Sequence, residues 1–171
     1  MVVAPGALTV DRDGRRVTAQ VDDRDLWAIE LGDHRTGNPF CEALHWPAAG
    51  VVAIGCDHLV SFVVADTGAA VSTLTLGTPD GGDLFGGLAI GDDATLYVLG
   101  WRDVVAVAPT LEVRWIARDV AVDGIVWCEQ RGPHLRLDAE MDPPGGWVPV
   151  VLDAATGRRV EPSPSIAWQF S

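Results

Sequence analysis

The chain has no lysine: all of its 12 basic residues are arginine, against 24 Asp and Glu, for a formal net charge of -12. That balance disfavours DNA or RNA as a partner, because non-specific affinity for nucleic acid comes mainly from cationic contacts to phosphate. It suits solubility or a basic protein partner, and the missing lysine itself reads as a coding bias. No stretch reaches the roughly 18 uninterrupted apolar residues of a spanning helix, so no membrane partner is expected. Met1 to Pro5 is too short for the apolar core of a targeting segment, and charge begins at Asp11. Cysteine is scarce too: Cys41, Cys56 and Cys128 leave one unpaired if any two join. This argues against a disulfide scaffold and for a reducing cytoplasm. The few serines, Ser61, Ser72, Ser163, Ser165 and Ser171, include no nucleophile elbow.

What is present is β-forming sequence. At 171 residues with 48% apolar content, the chain is expected to form a single β-repeat domain over 1–171 with a sizeable core. Helix signals are thin. Short apolar runs at 8–10, 16–21, 26–31, 51–54, 58–65, 70–76, 87–90, 95–100, 104–107, 113–116, 124–128, 134–137, 147–152 and 167–170 read as strands separated by turn residues. Asp13-Gly14 marks a first hairpin. The least periodic segment is 32–50, broken by Gly32, Gly37, Pro39, Pro47 and Gly50, where 40–46 has room for one or two helical turns at most.

One phrase recurs. Asp66-Thr67-Gly68 follows one β run, and Asp153-Ala154-Ala155-Thr156-Gly157 follows another. In both, Asp bonds the nearby backbone and Gly takes the strained turn position. The glycines are 89 residues apart, and Pro109-Thr110 punctuates a third, glycine-free copy between them. The period is therefore about 43 to 46 residues, in the range of propellers and solenoids.

With Leu152, Asp153, Thr156, Gly157 and Arg158 in its last copy, and with Asp92-Asp93-Ala94-Thr95-Leu96-Tyr97-Val98 and Trp115 in its central one, the chain resembles the propeller repeats of quinoprotein (PQQ-type) dehydrogenases and their cofactor-free relatives. The resemblance spans about residues 50–160. It implies an all-β fold of antiparallel propeller-like repeats, about four blades or an open arc. An open arc would expose edge strands and call for a partner chain, a capping strand or a second copy. The terminal strand 167–170 is one candidate to complete the N-terminal sheet. No quinone cofactor is implied, since no converging set of cationic, acidic and calcium-binding groups can be placed.

Few residues point to chemistry. Cys41, His45, Cys56 and His58, two Cys and two His within 18 residues, form the one set with the ligand types of zinc. Their first reading is as small hydrophobic cysteines beside ordinary surface histidines, with a structural zinc as the second. Asp11, Asp13 and Gly14 open like a calcium loop, but the twelfth position is Asp22 and 17–21 is strand-like. Gly81-Gly82 and Gly86-Gly87 lack a phosphate-loop ending and read as bends around Leu84-Phe85.

Seven tryptophans stand against one tyrosine. Trp101, Trp115 and Trp127 are spaced like successive strands of one blade, which a packed layer explains. Met141-Asp142-Pro143-Pro144-Gly145-Gly146-Trp147 is the most suggestive loop, and Trp147, Trp101 and Asp142 are the expected partner-binding residues. Two functions remain at this point. One is a non-catalytic binding or scaffold protein that engages a protein partner or its own copy, of the kind that includes immunity proteins. The other is a small hydrolase or metal-dependent enzyme with an acidic loop-end pocket in which Asp83 and Asp142 converge.

Overall fold

The computed structural model describes residues 6–11, 16–31, 40–77 and 82–161. They form four antiparallel sheets in chain order. The first holds β1 (Ala7–Val10), β2 (Arg16–Val21) and β3 (Arg24–Glu30). The second holds β4 (Cys41–Trp46), β5 (Val51–Cys56), β6 (Leu59–Val64) and β7 (Ala70–Thr75). The third holds β8 (Phe85–Ile90), β9 (Leu96–Gly100), β10 (Val104–Val107) and β11 (Val113–Ala117). The fourth holds β12 (Ile125–Arg131), β13 (His134–Glu140) and β14 (Trp147–Asp153), with one further bridge from Leu152 to Arg159.

Burial follows hydrophobic pattern. The unbroken apolar runs β5, β9 and β10 are buried along their whole length, as strands covered on both faces must be. In β2 and β13 the pattern alternates: Val17, Ala19, Leu135, Leu137 and Ala139 are buried, while Arg16, Thr18, Arg136 and Asp138 are not. Period-two alternation means a sheet with one covered face. The middle sheets are thus packed on both sides and the end sheets on one.

Three apolar layers join the four sheets. Val17, Ala19 and Trp27 meet Val52, Ile54 and Val63. Trp46, Ala53 and Phe62 meet Phe85, Leu96 and Val105. Tyr97, Val104 and Trp115 meet Ile125, Leu137 and Leu152. The inner strands touch in series, β1 to β4, β4 to β8 and β8 to β12. Among the described residues no fourth layer joins the last sheet to the first, so the sheets make an open, propeller-like arc.

The recurrent turns lock the sheets together. Trp27 of β3 donates its indole N–H to the Ala65 carbonyl at 2.9 Å and lies against Gly68, where a Cβ would stand 2.9 Å from the ring. Trp115 of β11 repeats this on Ala154, also at 2.9 Å, and on Gly157. Both glycines have φ +68, a left-handed backbone that L side chains resist. Asp23 and Leu111 hold the same kind of conformation in the other two copies, with φ 59 and 66.

Four residues beyond these turn positions stand Trp27, Ser72, Trp115 and Glu161. The tryptophan lock therefore occurs at every second sheet. Between the second and third sheets a different indole substitutes: Trp46 of β4 donates to the Ala94 carbonyl at 2.8 Å. Each sheet is one repeat, but the full pattern returns only after two sheets, from Trp27 to Trp115 over 88 residues.

Several sequence expectations change. Segment 40–46 is strand β4 rather than helical turns, because its residues pair one for one with the apolar run of β5. Among the described residues only Pro47–Ala49 is helical, a 3-10 turn ended by Gly50 at φ 67. Gly86 and Gly87 lie within β8, at a bulge opposite β9, rather than at bends. Strands β12 and β13 run on to Arg131 and Glu140, past the expected ends. The Asp13-Gly14 hairpin turn and the strand at 167–170 lie outside the described residues.

Candidate interaction face

Because consecutive strands run antiparallel, their connections alternate between the two ends of the arc. One end gathers the turns at 56–59, 100–103 and 141–146 with the inter-sheet residues 76–77, 82–84 and 118–124. Trp101, Trp147, Asp142 and Asp83 all belong to this end.

At its centre lies a buried carboxylate relay. The Asp83 carboxylate, 5% exposed, accepts the backbone N–H groups of Arg102 at 3.1 Å and Asp103 at 3.0 Å. Gly100 makes room for it, since a Cβ there would overlap the carboxylate. Asp103, itself buried, accepts the Asp119 N–H at 3.0 Å and pairs with the Arg118 guanidinium. Arg102 pairs in turn with Asp119, and its carbonyl accepts the Val120 N–H at 2.7 Å. Gly77 and Gly82 complete a shallow cavity of about 250 Å³ over these five residues.

Burial pushes the Asp83 carboxyl above the usual range, against the backbone donors of Asp103 and Arg102, which pull it down. With its oxygens turned to backbone N–H groups, Asp83 pins the β7–β8 connection to the β9–β10 turn. Asp142 is not among the residues lining this cavity. Its carbonyl accepts the Gly146 N–H at 3.0 Å within the 141–146 loop. The expected convergence of Asp83 and Asp142 is therefore not found, and the relay is a structural staple rather than an acid–base pair.

The four expected zinc ligands are not brought together either. Cys41 and Cys56 face each other across β4 and β5, with Cα atoms 4.4 Å apart, and form a disulfide. That separation is the close spacing of directly opposed antiparallel residues. His45 sits four residues further along β4, roughly 13 Å away at the rise of a strand, and burial lowers its pKa. His58 Nδ1 lies 3.1 Å from the Asp57 carboxylate. Among the described residues no group of three or more His, Cys, Asp or Glu is placed to hold a metal. Counting cysteines misses the disulfide because parity says nothing about register. The signal lay in the hairpin, whose β4–β5 pairing sets the two thiols opposite each other.

The tryptophans divide. Trp115 of β11 and Trp127 of β12 lie in different sheets rather than on successive strands of one blade, and both pack against Tyr97, at ring separations of 5.8 and 5.2 Å, in an inter-sheet layer. Trp101 stands apart from that layer: it sits in the β9–β10 turn, 36% exposed, its backbone N–H donating to the Leu84 carbonyl at 2.9 Å. Trp147 opens β14 opposite Glu140 and is 45% exposed, its ring lying over Gly124. Around it Val122, Val126 and Met141 are exposed as well, Val126 on the same face one step inward. Sequence reasoning singled out Trp147 and the loop that opens at Met141, but not Val122 and Val126, which other elements contribute.

No protein-family model and no curated protein matches the chain. Among solved structures it is similar to BamB from Moraxella catarrhalis, with TM-score 0.66 at 14% identity. The match covers 89% of this chain and 46% of that one, so the chain spans about half the length of BamB. The expected cytoplasmic placement does not stand. It rested on unpaired thiols, and the structure bonds two of the three, in a fold shared with BamB. What the comparison and the turn chemistry establish together is the fold: an open, propeller-like arc whose repeats resemble those of PQQ-type propellers.

Proposed function

We propose that this chain is a non-catalytic binding protein, a single propeller-arc domain that engages a protein partner through the loop end carrying Trp101, Asp142 and Trp147. The observation that carries this reading is the exposed apolar cluster of Trp147, Val122, Val126 and Met141 beside a relay whose acidic groups are spent on structure. Contiguous exposed apolar surface rimmed by polar groups marks interaction sites. An acidic chain suits a basic partner, the charge relation on which an immunity-type protein would rely.

A second copy is the weaker choice of partner. Closing a ring would stack the uncovered face of the fourth sheet on that of the first, and away from the Trp147 edge both faces are polar. The first presents an Arg16–Glu30 ion pair at 3.6 Å and a Gln20–Asp25 hydrogen bond at 2.8 Å. The fourth presents Glu129 between Arg131 at 2.8 Å and Arg136 at 3.6 Å. Polar outer faces are how stacked repeats end.

Sedimentation over a concentration series, followed by capture from host extract on the tagged full chain, tests the reading. A monomer that retains a defined protein, lost on Trp147→Ala, is expected. A concentration-dependent dimer that retains nothing would replace this reading with self-association.

A further inference from the structure

We infer that the surface around Trp147 takes a basic segment with an aliphatic anchor, an arginine- or lysine-flanked apolar side chain of another protein. This rests on the binding reading above and adds the chemistry of the occupant.

The first support is the charge around the patch. Asp123, Glu140 and Asp142 surround Trp147 on the 118–124 connection, β13 and the 141–146 loop, and none of them is ion-paired among the described residues. Glu140 accepts only the Gly145 backbone N–H with its side chain. The nearby guanidinium groups are already engaged, Arg102 with Asp119, Arg118 with Asp103 and Arg159 with the Val120 carbonyl at 3.1 Å. The patch is therefore apolar at its centre and negative at its rim, with no lysine anywhere in the chain to offset it.

The second support is shape. Val122 and Asp123 donate their N–H groups to the Glu140 carbonyl, at 2.9 and 3.3 Å, which holds the Val122 connection against the strand pair that carries Trp147. Gly124, at φ 155, leaves space that the Trp147 ring fills. The indole is thus seated from below and open above, a flat surface for an alkyl chain and a face for a guanidinium or ammonium. An acidic or nucleic-acid ligand would meet the same carboxylates as repulsion.

The probe is a short fluorescent peptide of alternating arginine and leucine, titrated against the full chain by anisotropy. Its counterpart replaces every arginine with glutamate. The arginine peptide is expected to bind and the glutamate peptide not. Trp147→Ala should weaken binding at least about tenfold, the scale of an aromatic anchor. Asp123→Asn with Asp142→Asn should weaken it several-fold without touching the apolar centre, and raising salt should weaken the wild type more than this double variant. Equal binding of the two peptides, or an isotherm unchanged by both variants, would overturn the inference.

The two readings fail separately. A host partner retained equally by wild type and Trp147→Ala would remove this surface and leave a binding protein. Trp147-dependent peptide binding with no host partner would leave the surface chemistry and remove the proposed role.

Discussion

The indole of Trp115 and the carbonyl of Ala154 are 39 positions apart in the chain and 2.9 Å apart in space, joined by a buried hydrogen bond across the third and fourth sheets. Replacing Trp115 with Ala removes that bond and a large part of the layer beneath it. A loss of about 3–5 kcal/mol in urea unfolding is expected.

Gly157→Ala is expected to cost more than Gly50→Ala, although the two backbones are nearly alike, with φ 68 and 67. At Gly50 nothing lies within 4 Å of the added Cβ, so only the left-handed backbone resists, at about 1 kcal/mol. At Gly157 the Cβ meets the Trp115 ring, adding about 1–3 kcal/mol of overpacking. Equal losses in parallel unfolding curves would show that the indole does not rest on the turn.

Thr156 donates its hydroxyl to Asp153 at 2.7 Å and its N–H to the same oxygen at 2.9 Å, and the hydroxyl bond foremost holds the Asp153 carboxyl below its usual range. A depressed carboxylate stabilises the fold above its unfolded pKa, and that stability is lost as pH falls through the folded one. Thr156→Val should therefore destabilise at neutral pH by about 0.5 kcal/mol, kept small by solvent screening. The difference from wild type should close in acid. A pH-independent difference would assign the effect to the turn backbone instead.

Asp83 follows the opposite sign. Burial raises its pKa, so its ionised form is disfavoured in the fold; the penalty is absent below the unfolded pKa and full above the folded one. Asp83→Asn keeps an acceptor for one of the Arg102 and Asp103 N–H groups and sheds the buried charge. Asp83→Ala strands both donors, and at pH 7 it should cost about 1–3 kcal/mol more than the asparagine variant. Relative to Asp83→Asn, the wild type should gain stability as pH falls. Thermal unfolding of both variants at neutral and acid pH measures this.

Cysteine accounting separates the bonded pair from Cys128. Denatured without reductant, the chain should take up one alkyl group, at Cys128, and after reduction three. In the native state Cys128 should alkylate slowly, because burial first and the Asp138 carboxylate second push its thiol pKa up. Reduction should lower stability by about 3 kcal/mol, the order expected for the loop between Cys41 and Cys56. Three labels without reductant would restore the reading of free thiols.

Much of the fold was legible because local pattern and burial agree. Runs such as 51–54 and 104–107 announce buried strands, and the recurrent Asp and Thr-Gly turns at 66–68 and 153–157 announce repeats. The alternation in 134–139 marks a sheet with one covered face. What the sequence hides is pairing across distance. The Cys41–Cys56 bond follows from β4–β5 register, and β4 itself looked irregular because breakers flank it. The Asp83 relay is built from backbone N–H groups of a neighbouring turn, which no residue type advertises. The alternation of Trp27 and Trp115 with Ser72 and Glu161 was in plain view, but without the left-handed turn positions to count from it has no frame.

That alternation also makes the arc divisible. Sheets one and two share one indole lock and sheets three and four the other, while the middle junction rests on the Trp46 layer, the Trp46–Ala94 bond and the Glu42 carboxylate that accepts the Leu88 N–H at 3.0 Å. Cut between 77 and 82, the chain would yield two fragments that each keep a complete lock. Their reassembly would depend on the apolar face between Phe62 and Phe85, which makes this protein a natural split reporter.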